Sequence, residues 1–267
     1  MELVFFALSL WLYLVAAVSF VVHLIAMRNV TRRVTLSVLT LGFGCHAVAL
    51  LIRGVTIIAA TSFYDQVNLL AWFIVGVYLL LQARYNLMVV GALSSSLAFL
   101  LTLSAYMAYS GVEKLPRELQ NVWLPVHVAP SFLGYAVFAV AFCVSVIYLV
   151  QEHLLKGKRY RGLFRRLPSL ESLDDLNNRF VTWGFALFTF GMLTGSLLAK
   201  IRWGTFFKAE PVQILSILTW LWYAVQIHAR SSGWRGRRAA ALTIVGFVLI
   251  VASFIGLGAG WHTDTFK

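Results

Sequence analysis

Eight apolar stretches separated by short polar connections run along the 267-residue chain. A helix needs about 20 apolar residues to cross a hydrocarbon core of roughly 30 Å, and each stretch meets or approaches that length. None shows the alternation of a lipid-facing barrel strand, so all eight are predicted to be helices. The sequence therefore predicts an all-α polytopic membrane protein, with spans at residues 4–27, 34–60, 69–83, 87–109, 126–155, 180–199, 212–229 and 239–258.

Composition excludes a soluble globular protein. The chain is 60% hydrophobic and only 12% charged, whereas a soluble domain carries roughly a quarter charged residues. In a soluble chain the net charge of +12 would suggest a nucleic-acid partner. In a membrane chain the position of the charge indicates topology instead, and no nucleic acid is expected.

The basic residues divide unequally between the two sides of the predicted spans. Fifteen of the 22 Lys and Arg residues, with four of the ten acidic ones, fall in the odd-numbered connections. Six basic and six acidic residues fall on the other side, which leaves Arg53 inside the second span. By the positive-inside rule the basic side is cytoplasmic and both termini face outward. The expected location is the bacterial cytoplasmic (inner) membrane, with the basic connection 156–179 on anionic lipid.

Two histidines are predicted at the outer surface, at the start of the fifth span and after the eighth. They are His127, with Trp123 nearby, and His262, beside Trp261. Imidazole nitrogens can occupy both axial positions of a haem, aromatic rings can stack on the porphyrin, and cations can pair with its propionates. The alternative is that these residues are interfacial anchors. The outward loop 200–211 adds further candidates for haem contact, namely Arg202, Trp203, Phe206 and Phe207.

Two other histidines are candidates for a second, deeper ligand pair. His46 lies about midway through the second span, and His228 lies near the cytoplasmic end of the seventh. Their inferred depths differ by about two helical turns. Arg53 follows His46 on the same helix face and must be paired in the membrane. Its expected contact is a haem propionate, a carboxylate or the outer headgroups.

Several ordered motifs resemble the cytochrome c assembly family that includes CcsA, CcmC and HemX. They include HVAPSFLGYAVF from His127, LPSLESLDDLNNRF within 167–200, and GLGAGWHT at the end. The resemblance covers most of residues 125–264, whereas residues 1–110 are similar mainly in hydropathy. It implies N-terminal helices 1–4 in 1–110 and a haem-handling core in 111–267. It also implies haem b ligation by His127 and His262, with His228 at a transmembrane haem site. Pairing His46 with His228 is our own inference.

The tryptophan-rich segment departs from the family pattern W-G-x-x-W-x-W-D-P-K-E-x-W. Trp203 and Gly204 match, but the later tryptophan positions hold Phe207, Ala209 and Leu215. This departure favours a HemX-like protein over one that presents haem to apocytochrome.

The resemblance implies a haem-binding protein, not an enzyme. It conveys, holds or senses haem for cytochrome c biogenesis, with a second biogenesis subunit as an expected partner. The alternatives are a HemX-like regulator that acts on the glutamyl-tRNA reductase level and a b-type electron-transfer protein.

Overall fold

The computed structural model describes residues 1–54, 62–109, 111, 122–157 and 168–258, with side chains to residue 254 in the last range. Within these residues the regular secondary structure is entirely helical, and each helix has a stretch long and apolar enough to cross a membrane. The all-α polytopic prediction is confirmed, and the orientation of the termini stays a prediction. The helices are α1 (Glu2–Ala26), α2 (Asn29–Arg53), α3 (Phe63–Tyr85), α4 (Met88–Met107), α5 (Trp123–Lys156), α6 (Leu170–Trp203), α7 (Pro211–Ser231) and α8 (Arg237–Gly258).

Helices α3 and α6 begin earlier than the apolar windows predicted, because each has a capped polar first turn. The Ser62 hydroxyl accepts a hydrogen bond from the Asp65 N–H at 3.1 Å, and the Ser169 hydroxyl accepts one from the Ser172 N–H at 3.1 Å. Such caps satisfy N–H groups that have no partner within the helix. Helix α2 instead ends at Arg53, before the predicted limit of its span. Residues 55–60 of that span lie outside the described residues.

The helices form two connected groups. Helix α1 packs on α2 and α4, and α3 packs on α4. Helix α5 packs along α6 and on α8, which also contacts α7. The groups meet where α3 and α4 contact α5. We call the end where α1 finishes and α2 begins the basic end; it holds Arg28, Arg32, Arg84, Lys156 and Arg230. The opposite end, where α5 begins and α6 finishes, is the aromatic end.

Small residues let α5 and α6 approach closely. A Cβ added to Gly134 would lie 3.0 Å from the backbone nitrogen of Phe188, and one added to Gly184 would lie 2.7 Å from the Phe138 ring. A Cβ on Gly191 would clash with the Ser131 hydroxyl. Van der Waals packing of small residues is a main source of helix association in membranes. This interface fixes the first turns of α5 against the end of α6.

Candidate functional site

His127 lies near the start of α5, half-buried against α6. Its Nδ1 is 2.8 Å from the carbonyl oxygen of Gly191. A carbonyl oxygen only accepts, so Nδ1 carries the hydrogen and Nε2 carries the lone pair. No described residue forms a hydrogen bond with Nε2. An imidazole held through one nitrogen by a backbone carbonyl is the usual arrangement of a metal-ligating histidine.

The orientation of the His127 ring depends on glycine in α6. A Cβ added to Gly195 would lie 2.7 Å from Cε1 and 2.8 Å from Nδ1 of the imidazole. The Ser131 hydroxyl donates to the His127 carbonyl at 2.7 Å, one turn along α5. The Thr194 hydroxyl lies 3.5 Å from the Val126 carbonyl, whose usual helical donor is replaced by Pro130. Contacts from α6 therefore determine where Nε2 can point.

Beyond His127, α6 continues into an exposed aromatic and basic segment. The predicted loop 200–211 is helical up to Trp203, and Gly204, at φ 73°, caps the helix by donating to the Lys200 carbonyl at 3.0 Å. Phe206 and Phe207 are 56% and 49% exposed. A flat ligand with negative groups on one edge would complement this surface.

Cations lie over the rings of this segment. The Arg202 guanidinium carbon and the Lys208 Nζ are each 5.4 Å from the Trp203 ring centroid. The Lys200 Nζ is 5.3 Å from the Phe206 centroid. The sequence analysis identified Arg202 and these aromatic residues, but it did not show which cation accompanies which ring.

The remaining members of the predicted outer site are only partly described. Trp123 is the first residue of α5 and is 41% exposed. His262 lies outside the described residues, so its pairing with His127 stays a prediction. No group of three or more His, Cys, Asp or Glu side chains suited to a metal ion occurs within the described part of the chain. Haem iron requires only two axial side chains, so this result does not bear on the pair.

His46 is fully buried among α1, α2 and α3, and both of its ring nitrogens are engaged. Nε2 pairs with the Asn68 side-chain oxygen. Nδ1 accepts from the Tyr13 hydroxyl at 3.1 Å. The Phe6 ring meets the imidazole edge-on, with centroids 5.6 Å apart. The sequence analysis missed Tyr13 and Asn68, although an asparagine at the start of an apolar span is a usable signal.

The structure does not bring His46 and His228 together. His46 is 17 residues from the start of α2 at the basic end, which corresponds to roughly 25 Å along a helix. His228 is exposed in the last turn of α7, at that same end. The two imidazoles therefore differ in depth by roughly 20 Å, which is too far for both to reach one iron.

Arg53 forms ion pairs with carboxylates, one of the three contacts left open by the sequence. Its Nε lies 2.8 Å from Asp65 Oδ1, and one terminal nitrogen lies 3.3 Å from Glu2 Oε1. The guanidinium lies over the Tyr64 ring, 4.5 Å from the centroid. The Tyr64 hydroxyl in turn donates to Glu2 at 2.9 Å. This cluster joins α1, α2 and α3 at the aromatic end.

Comparison with known proteins gives consistent matches. Residues 60–262 match the family model described as cytochrome C assembly protein. The chain is 29% identical over 226 residues to the cytochrome c biogenesis protein CcsA of Guillardia theta, covering 76% of this chain and 75% of that protein. It is 28% identical over 254 residues to CcsA of Synechococcus elongatus, covering 76% and 78%. These relatives are CcsA proteins, so they support a CcsA-like chain and do not support the HemX-like assignment that the tryptophan-rich segment favoured.

A solved structure also has a similar fold. Cytochrome c heme lyase CcmF superposes with a TM-score of 0.66 at 14% sequence identity, over 98% of this chain. The match covers 50% of the lyase, so the chain spans half its length. At this identity the likeness concerns the fold alone.

Proposed function

The chain belongs to the cytochrome c assembly protein family, and we propose that it holds or conveys haem b for cytochrome c biogenesis. The main support for the proposal is the hydrogen bonding of His127. Its Nδ1 donates to Gly191 at 2.8 Å, which leaves Nε2 as the nitrogen able to ligate iron. The ring lies against Gly195, and α6 continues from there to the exposed aromatic residues of the aromatic end.

The residues of the aromatic end suit the chemistry of haem. His127 would provide one axial nitrogen, and His262, predicted at the same surface, would provide the other. Trp203, Phe206 and Phe207 would contact the porphyrin face, while Arg202 would pair with a propionate. Haem is cargo in this proposal, so these residues bind and orient it without catalysing a reaction.

The proposal places the aromatic end outside the bacterial cytoplasmic membrane. The distribution of basic residues supports this orientation, because Arg28, Arg32, Lys156 and Arg230 lie at the other end. A second biogenesis subunit would receive haem or supply a further ligand. His46 and His228 have no place in this site, because they lie at different depths.

The function can be tested in cells that produce the protein. Deleting the gene for this protein should lower the amount of cytochrome c with covalently bound haem, which is measured by haem staining of denatured membranes. Total haem b should be maintained. The purified wild-type protein should contain haem b by pyridine haemochrome analysis. Normal cytochrome c with an altered glutamyl-tRNA reductase level would instead support the regulatory alternative. Haem-free protein from haem-replete cells would contradict the proposal.

Gly195→Ala is expected to weaken haem binding without unfolding the protein. The new Cβ would lie 2.7 Å from the His127 ring, so the imidazole must turn and lengthen its hydrogen bond to Gly191. Loss of such a supporting contact commonly lowers metal affinity by about tenfold or more. Haem titration of the purified protein measures this effect.

The matched control is Gly44→Ala in α2, where an added Cβ meets no described atom within 4 Å beyond its chain neighbours and the local helix backbone. That variant should bind haem as the wild type does. Equal haem affinity in the two variants would show that Gly195 has no role in positioning His127.

A further inference from the structure

A cavity of about 260 Å³ opens at the basic end, far from the aromatic segment. The end of α1, the starts of α2 and α4, the middle of α5 and the residues around the start of α6 form its walls. It is smaller than the roughly 300–1,000 Å³ typical of pockets for drug-sized ligands. None of the described lining residues is Asp or Glu, so the cavity has only basic, neutral polar and apolar groups.

The residues that begin α4 line this cavity. Met88 and Val90 are 7% and 1% exposed, and the first N–H of this helix with a backbone acceptor is that of Gly91, which donates to Leu87 at 3.1 Å. No described residue accepts from the N–H groups of Met88, Val89 or Val90. Buried N–H groups without a partner are rare and energetically unfavourable. The first N–H groups of a helix have no partner within it, and an acceptor in the cavity would satisfy those of α4.

A second helix start faces the same space. Helix α2 begins at Asn29, which also lines the cavity. Neither α2 nor α4 has a side-chain cap or an acidic residue in its first turn. Helix α6, which starts at the same end, has both, in Ser169 and Glu171. Two uncompensated positive helix ends therefore converge where an anion would be stabilised.

His23 adds a buried polar side chain to the wall. It is 7% exposed, and its Nδ1 lies 2.8 Å from the Thr31 hydroxyl. That hydroxyl donates its hydrogen to the Arg28 carbonyl at 2.7 Å, so Nδ1 is the donor to Thr31. No described residue bonds to Nε2. This nitrogen accepts from a P–OH or headgroup hydroxyl when neutral, and donates to a phosphate oxygen when protonated.

Arg32 provides the fixed positive charge. One of its terminal nitrogens donates to the Asn86 side-chain oxygen at 3.2 Å, which leaves further guanidinium donors available. Asn86 is held in the left-handed region, at φ 51°, between α3 and α4. The Asn86 oxygen also accepts from Gln82 at 3.2 Å. This arrangement holds the guanidinium beside the start of α4.

We propose that this cavity binds a phosphate group through Arg32, His23 and the N–H groups that begin α4. The phosphate belongs either to an anionic lipid headgroup or to a free phosphate in the adjoining aqueous phase. Apolar wall residues such as Leu24 and Ile147 provide contact for the glycerol region of a lipid. The site is independent of the haem site, because it lies at the opposite end of the helices.

The test compares two neighbouring arginines in the full chain, purified in a neutral detergent. Both arginines are exposed, but only Arg32 lines the cavity. Phosphatidylglycerol, phosphatidylcholine and inorganic phosphate are titrated separately, and Tm is followed. Phosphatidylglycerol should raise the wild-type Tm more than phosphatidylcholine does. Arg32→Gln should weaken the apparent affinity by about tenfold or more, while Arg33→Gln should leave it unchanged.

The titrations also distinguish the two sources of phosphate. A rise in Tm with phosphatidylglycerol alone identifies a lipid headgroup, and an equal rise with inorganic phosphate identifies a free phosphate. Either result supports the proposed site if the Arg32→Gln variant needs more ligand for the same rise in Tm. Equal responses to the two lipids with no response to inorganic phosphate, or equal losses in both arginine variants, would overturn the proposal. Haem content should stay at the wild-type level in both variants.

Discussion

Replacing His127 with alanine is expected to remove most of the haem b from the purified protein. In the proposed site the His127 Nε2 is an axial ligand, and its other nitrogen is held by Gly191 at 2.8 Å. Without this imidazole the haem iron would lack one of its two proposed protein ligands. We expect haem affinity to fall by about tenfold or more. Haemochrome content and the Soret spectrum measure the loss, and added imidazole should restore part of the spectrum.

His153→Ala is the matched control, because His153 lies on the same helix at the basic end and is exposed. Its haem content and spectrum should equal those of the wild type. An unchanged Soret band with full haem occupancy in His127→Ala would show that His127 is not a ligand. If His262→Ala kept full haem occupancy while His127→Ala lost haem, the second ligand would have to be a residue other than His262.

Asp65→Ala is expected to cause the largest loss of stability among changes outside the haem site. The Arg53 and Asp65 side chains are 1% and 2% exposed, and their atoms approach to 2.8 Å. Removing one member of a buried ion pair typically costs about 3–5 kcal/mol, and the buried Arg53 charge would keep only the longer, 3.3 Å contact with Glu2. At about 2–4 °C per kcal/mol for a chain of this size, Tm should fall by roughly 6–20 °C. Thermal unfolding in detergent, followed by helical circular dichroism, measures the change.

The control is Asp175→Ala at the basic end. Asp175 is 57% exposed and lies 3.4 Å from Arg230, which keeps its 2.6 Å pair with Asp174. An exposed pair contributes about 0–1 kcal/mol, so Tm should change little. The double variant Arg53→Met, Asp65→Leu should recover much of the stability lost in Asp65→Ala. Equal Tm values for Asp65→Ala and Asp175→Ala would contradict a structural role for the buried pair.

These predictions rest on features that the sequence revealed to different degrees. Hydropathy alone predicted the spans, and the main errors concerned polar helix ends. The first two turns of α6 contain Glu171, Asp174 and Asp175, so an apolar window begins too late. Arg53 was identified as a residue that must be paired, but Asp65 and Glu2 are 12 and 51 positions away from it in the sequence. Only the positions of these side chains in the folded protein show that Arg53 pairs with carboxylates and not with a haem propionate.

For the histidines too, the sequence revealed their presence and only the structure revealed their environment. All six are visible in the sequence, but their hydrogen bonds separate them into different chemical states. His127 keeps Nε2 free of described partners, whereas both nitrogens of His46 are engaged by Tyr13 and Asn68. The cavity beside His23 also depends on two helix starts that meet only in the folded chain. None of these distinctions follows from residue type or spacing.

The sequence by itself determined that this protein spans a membrane with helices, because the bilayer imposes both the length of each apolar stretch and the helical state of its backbone. Eight helices of sufficient length and apolar character lie within the described residues. The cytochrome c assembly resemblance was also visible in its ordered motifs. Only the tertiary structure decided which histidine is available as a ligand and which charges are buried. Those properties depend on contacts between helices, such as Gly191 with His127 and Asp65 with Arg53, and hydropathy contains no information about which helix faces meet.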